Sequence, residues 1–371
     1  MPGATSRPLI VLLLAGLSLT TTARAQFGDG WDTDFSRHTV PFDEIVSGGP
    51  PKDGIPAIDE PRFISTREAD RWLEDREPVV VIAIGDEAKA YPLQILIWHE
   101  IVNDAVGGVP VSVTYCPLCN TALAFDRRFD GQVLDFGTTG RLRHSDLVMY
   151  DRQTETWWQQ ATGEGIVGQY AGEQLVFISA PLVSWETFKQ EYPDGAVLSR
   201  ETGHSRPYGE NPYQRYDDPG GSPWARFFHG EPDGRLPPME RVVALTLGED
   251  TRAYPFASLE EKRVVNDEVD GTPLVVLWAP GMASSVDRHR IAEGRDVGAS
   301  GVFSRRAGSR TLTFEPAGDG LFRDKQTGST WNILGRAVRG ELEGTELDPI
   351  AYGNHFWFAW AVFRPETKIV R

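Results

Sequence analysis

The chain has 371 residues, with 37 basic and 53 acidic side chains and a net charge of −16. Such an acidic balance disfavours a nucleic-acid partner and otherwise serves solubility. Length gives a prior of two domains, eleven tryptophans supply material for real cores, and the only two cysteines are Cys116 and Cys119.

In chain order, residues 1–25 read as a secretory signal peptide. Arg7 makes a positive start, Leu9 to Leu19 an apolar stretch, and Ala23-Arg24-Ala25 a cleavage site before Gln26. The apolar stretch is too short for a stable membrane anchor. The expectation is a soluble, exported protein, secreted or periplasmic. Removing Arg7 and Arg24 leaves 35 basic and 53 acidic residues, a net of −18.

Residues 26–78 form an N-terminal segment with a short helix, since Ser65 and Glu68 in "FISTREADRWLED" make a capping box. Residues 79–195 form a first unit. "VVVIAIGDEAKAYPL" reads as strand, turn, strand. "HEIVNDAVGGVPVSVTYC" reads as a hairpin about Gly107-Gly108. With those two as the loop, paired positions sum to 215, which sets His99 opposite Cys116 at cross-strand distance. "TALAFDRRFDGQVLDFG" is another hairpin, and "DLVMYDRQTETWWQQ" is strand, turn, strand. "SWETFKQEYP" is a short helix stopped by Pro193. Residues 196–240 are a Gly/Pro/Tyr-rich linker.

Residues 241–371 form a second unit that resembles the first. "IGDEAKAYPLQILIWHEIVNDAVGGVPVSVTYC" from Ile84 aligns without gaps on "LGEDTRAYPFASLEEKRVVNDEVDGTPLVVLWA" from Leu247. Tyr91-Pro92 falls on Tyr254-Pro255, and Asn103-Asp104 on Asn266-Asp267. Further on, Asp151, Thr154 and Trp158 fall on Asp324, Thr327 and Trp331. The fold class is α+β and β-rich: two tandem pseudo-repeats of a mainly antiparallel β unit with a few short helices.

Residues shared by both copies serve the scaffold, and residues that change type are candidates for function. His99 becomes Lys262, Glu100 becomes Arg263, Cys116 becomes Ala279 and Cys119 becomes Met282. His144 becomes Ala317 and Glu164 becomes Arg336. The second copy is degenerate and has no cysteine. Asn103-Asp104 reads as a turn-proximal hydrogen-bonding pair, and Trp157, Trp158 and Trp185 as core.

"HEIVND", "VTYCPLCNTALAFDRR", "SDLVMYDRQTETWWQQ" and "HFWFAWAVFRPET" together resemble the bacterial and archaeal domain-of-unknown-function family numbered 3179. The resemblance spans the chain beyond residue 25. It implies an exported protein with this C-x-x-C and brings no assigned activity. In that family's pattern Asn often stands at the position of His144.

Cys116 and Cys119 with His99 offer sulfur and nitrogen to a zinc or copper ion. The fourth ligand would be His144, Asp146, Met149 or water. The rival reading is a thiol–disulfide couple acting on a small thiol or disulfide partner, although both flanks read as strand and not as a helix start. A third is Cys116 as nucleophile with His99 as base, Glu100 being a further catalytic candidate. A structural disulfide would close a very short loop and stabilise little. A binding module would use the linker, with His204, Arg206 and Tyr208 as its contacts. No motif for a nucleotide cofactor is present.

Overall fold

The computed structural model describes Phe27 and residues 30–371. The expected signal peptide, residues 1–25, lies outside the described residues. Strands dominate, helices are few and short, and almost every strand pairing is antiparallel. No helix of the described residues is long and apolar enough to cross a membrane.

Helix α1 (Thr66–Ala69) opens on the capping box, with the Ser65 side chain accepting from the Glu68 N–H and the Glu68 carboxylate accepting in return. Strands β1 (Pro78–Ile84) and β2 (Glu87–Pro92) form the first hairpin. Pro92 then starts a helix that the sequence pattern does not announce, α2 (Leu93–His99). Its side chains are buried on nearly every side, from Leu93 to Ile97 and again at His99. A helix covered all round shows no apolar stripe, so its period is invisible in the sequence.

Glu100 ends α2 with a backbone φ of 60°, its N–H donating to the Leu96 carbonyl at 2.7 Å. Strands β3 (Ile101–Val106) and β4 (Val109–Cys116) follow in the expected register, from Ile101 opposite Thr114 to Val106 opposite Val109. Gly107 and Gly108 make the loop with φ of 55° and 76°, the pair of positive angles that a two-residue hairpin turn of this hand needs. The ladder closes with the Tyr115 N–H donating to the Glu100 carbonyl at 2.8 Å. It stops there, so the expectation that His99 lies opposite Cys116 does not hold. The left-handed turn at Glu100 carries His99 off the ladder and into the helix. Cys116 pairs instead with Thr121, the first residue of β5 (Thr121–Asp126).

Strands β6 (Phe136–Arg143), β7 (Asp146–Asp151) and β8 (Trp157–Gln159) build a neighbouring sheet. Trp157, Trp158 and Trp185 are fully buried. Helix α3 (Trp185–Glu191) is capped by Ser184. The segment expected as linker begins with a strand, Ala196–Leu198, parallel to β2. Residues 199–240 contain no strand or helix.

Beyond them come β9 (Arg241–Leu247), β10 (Asp250–Pro255), α4 (Phe256–Lys262), β11 (Val264–Val269) and β12 (Thr272–Ala279). Each starts and ends 163 residues after β1, β2, α2, β3 and β4 respectively. The internal bonds correspond as well. Tyr91 donates to Asp104 at 2.6 Å and Tyr254 to Asp267 at 2.7 Å. Trp158 donates to Asp151 at 2.9 Å and Trp331 to Asp324 at 3.0 Å. Asn103 exchanges two hydrogen bonds with the backbone of Phe136, and Asn266 does the same with Phe314. The Asn-Asp pairs therefore sit mid-strand, tying sheet to sheet, and not beside a turn. The largest core cluster draws on both halves, with Val113 and Phe125 beside Val275, Phe303 and Phe356.

Candidate functional site

The centre of the site is the bend between β4 and β5. Cys116 is the last residue of β4, and the Cys119 N–H donates back to its carbonyl at 3.2 Å. Asn120 takes a φ of 52° to turn the chain into β5. The Cys119 carbonyl accepts from the Phe356 N–H at 2.9 Å, which pins the bend to the second half of the chain. Both thiols are free and buried.

Asp146 comes from the other side. His144 and Ser145, with φ of 53° and 70°, form the loop between β6 and β7. Asp146 is the first residue of β7. One sulfur from each cysteine and one carboxylate oxygen of Asp146 lie within 4.8 Å of one another. This group can hold a metal ion. The carboxylate is locked in orientation: its Oδ1 accepts from the Gln159 amide at 2.6 Å and from the Ala161 N–H at 2.9 Å. Its Oδ2 is buried with no nitrogen or oxygen donor, and the Cys119 thiol interacts with the carboxylate. The Cys116 thiol is 3.6 Å from the Ser145 carbonyl, to which it donates.

Burial sets the protonation of the group. It pushes Asp146 up to about 6 despite the two donors on Oδ1. It pushes Glu100 up to about 8, with the Asp146 charge adding to the rise. Burial also raises both thiols, Cys119 the more strongly. Neither Glu100 nor Asp146 forms an ion pair with a Lys or Arg among the described residues. Four acidic side chains thus share one buried region, where burial favours their neutral, protonated forms.

The 199–240 segment covers this region. The Ser145 N–H donates to the Phe227 carbonyl at 2.8 Å. Tyr213 lies near Glu100 and Cys116, and Tyr216 near Cys119 and Cys116. Burial raises both phenols. The Ser145 hydroxyl is buried without a partner.

The chain belongs to the family described as Protein of unknown function (DUF3179), whose model matches residues 52–367. The match takes in the whole site. Neither a curated protein nor a solved structure matches the chain. Membership of this family therefore brings no activity with it, and the chemistry has to be read from the residues.

Two expected ligands lie elsewhere. The His99 ring is held between the Pro56 carbonyl, 2.7 Å from Nδ1, and the Tyr208 hydroxyl, 2.7 Å from Nε2. Tyr208 in turn bonds Thr202 at 2.6 Å, and the ring of His204 is 5.5 Å from that of His99. His99 thus joins the linker residues His204 and Tyr208, and is not available as a base to Cys116. Arg206 acts on it only through its charge. His144 points the other way from its near neighbour Asp146, with Nε2 3.3 Å from Glu44 and its ring against Phe228 and Phe363. Met149, three residues along β7, is in the apolar core.

The sequence offered Asp146 only as one of several fourth ligands. Comparison of the two halves does not flag it, because Asp319 stands at the corresponding position of the second half. Asp319 is exposed in a turn, so the residue type recurs where the environment does not. In place of the cysteines the second half buries Ala279 and Met282. Tyr213 and Tyr216 carry no signal in the sequence, since only the path of the irregular segment brings them here.

Proposed function

We propose that this is an exported metal-binding protein whose first half carries a Cys116–Cys119–Asp146 centre for zinc or copper. The reading rests on two sulfurs and a carboxylate oxygen within 4.8 Å of one another, all three residues buried, with the Cys119 thiol directed at the carboxylate. Zinc accepts thiolate and carboxylate together, and three protein ligands leave a position for water or a substrate. Copper(I) is served by the two thiolates alone. Binding would deprotonate the thiols, which burial otherwise keeps protonated. Glu100, buried beside the centre, is the acid–base group available to a molecule in the open position. The two halves are read as copies of one unit, the first keeping the chemistry and the second the scaffold.

Thiol–disulfide exchange is the rival use of the same sulfurs. The burial of both thiols speaks against it, since exchange needs an accessible thiolate. Metal analysis of protein recovered from the periplasm separates the two. The metal reading expects about one zinc or copper per chain, lost in Cys116→Ser/Cys119→Ser. Asp146→Asn would lower zinc more than copper. Equal, negligible metal in wild type and variants, with reversible dithiol chemistry, would replace this reading with the redox one.

A further inference from the structure

The two halves differ at one sheet edge. In the first half, residues 56–59 lie along the outer edge of β3, where Ile58 pairs with Val102 as a parallel bridge. The Ile58 N–H donates to the Ile101 carbonyl at 2.9 Å, and the Asn103 N–H donates to the Ile58 carbonyl at 2.9 Å. Two side chains hold the segment on either side of Ile58. Nδ1 of His99 donates to the Pro56 carbonyl at 2.7 Å, and Nδ2 of Asn103 donates to Oδ1 of Asp59 at 2.7 Å. Under this cover Ile101, Val102 and Asn103 are buried.

Strand β11 has the same pairing on its inner side and no cover on its outer side. Val265 stands opposite Val276 as Val102 stands opposite Val113. The Trp278 N–H donates to the Arg263 carbonyl at 2.9 Å, so the alternation of an antiparallel ladder turns the Val264 carbonyl and the Asn266 N–H outward. Neither has a partner among the described residues. Val264 and Val265 are partly exposed, and Asn266 is exposed. Nδ2 of Asn266 donates one hydrogen to the Phe314 carbonyl at 2.9 Å, which leaves its second hydrogen free. The residues 163 positions after Pro56-Ala57-Ile58-Asp59 are Pro219-Gly220-Gly221-Ser222. They carry no branched aliphatic side chain and fold into a turn, with the Gly221 N–H donating to the Asp218 carbonyl at 2.9 Å.

An unpaired edge is a template for another strand, and the first half shows what fits this one. Lys262 stands at the position of His99, which holds Pro56. Lys325 stands at the position of Arg152, which pairs with Asp59 at 3.1 Å. Both lysines are exposed. Lys262 has no ion pair among the described residues, and Lys325 is 3.5 Å from Glu315. Cations at these two positions suit an acidic segment.

We propose that the outer edge of β11 docks an extended acidic segment of a partner protein as a short parallel strand, read by an aliphatic residue followed by Asp. The N–H of the aliphatic residue donates to the Val264 carbonyl, and its own carbonyl accepts from the Asn266 N–H. Its side chain covers Val265, and the Asp carboxylate accepts from Nδ2 of Asn266. Main-chain bonds give the affinity and the two side chains the selectivity. This site does not depend on the metal centre.

The probe is the peptide acetyl-GIPAIDEP-amide, the sequence of residues 54–61, titrated calorimetrically into the full chain. It is expected to bind one site per chain with a Kd below ~1 mM. Peptides with Ala in place of Asp59, or with a methyl group on the Ile58 nitrogen, should each bind roughly tenfold more weakly. Lys262→Glu, a change at an exposed position, should weaken binding of the parent peptide. Hydrogen exchange in unmutated protein supplies a readout independent of any variant's folding: the Asn266 amide should exchange fast where that of Asn103 is protected, and should slow when the peptide binds. The proposal is overturned if the peptide does not bind below ~10 mM, if the methylated peptide binds equally well, or if binding leaves exchange at Asn266 unchanged. Protection of Asn266 that rises with protein concentration in the absence of peptide would assign the edge to a second copy of the chain and would equally overturn it.

Discussion

Acidification should destabilise this protein through His99, and the size of the effect follows from its surroundings. Burial lowers the His99 pKa from 6.5 to about 4, outweighing the bond to the Pro56 carbonyl. The unfolded chain takes up the proton near pH 6.5, and the folded chain does so only near 4. The stability tied to the neutral ring is thus complete above the unfolded value and is lost as pH falls toward the folded one. At 1.36 kcal/mol per unit, the loss is about 2 kcal/mol at pH 5 and about 3 kcal/mol at pH 4. Other buried groups titrate in the same range, so the measurement is a difference. Urea unfolding of wild type and of His99→Gln is followed from pH 7 to pH 4. The wild-type curve should fall more steeply than the variant's by these amounts. Parallel curves would mean that the His99 ring is not held neutral in the fold, and would refute the placement between Pro56 and Tyr208.

Glu77 should behave in the opposite sense. Burial raises it to about 7 although Gln94 donates to it at 2.6 Å; its contribution is present below pH 4.5 and lost as pH rises through 7, about 3 kcal/mol in all. Glu77→Gln should remove that slope in the same unfolding series, and an unchanged slope would contradict it. Both cysteines are buried, so a thiol reagent should label neither in the native protein and both after denaturation; rapid native labelling would show an open site. Gly107→Ala places a Cβ 2.4 Å from the Ile84 carbonyl, whereas Gly108→Ala meets open space. Both need a positive φ, so thermal unfolding should show a loss of ~1 kcal/mol for Gly108→Ala and clearly more for Gly107→Ala. Equal losses would place the hairpin loop elsewhere.

The hairpin that presents the cysteines is legible in the sequence down to its register, because two adjacent glycines fix a two-residue turn and the turn fixes every pair. The same reasoning overshoots by two residues. Nothing in "PLQILIWHE" announces a helix, since all its faces are buried, and the left-handed turn falls on Glu100 and not on a glycine. That is enough to move His99 from the cysteines to Pro56 and Tyr208. Aligning the halves picks out Cys116 and Cys119 because their counterparts are Ala279 and Met282. It passes over Asp146 because burial, not residue type, distinguishes Asp146 from Asp319. The partners from the irregular segment, Tyr213 and Tyr216, depend on long-range packing that no local pattern encodes.

The central claim is that Cys116, Cys119 and Asp146 bind one metal ion together. X-ray absorption at the zinc and copper edges, on the purified protein, tests it most directly. The account predicts a bound metal with two sulfur neighbours at about 2.3 Å and at least one oxygen at about 2.0–2.2 Å. The sulfur shell should vanish in Cys116→Ser/Cys119→Ser. A metal with no sulfur neighbours, or a shell unchanged in that variant, would contradict it.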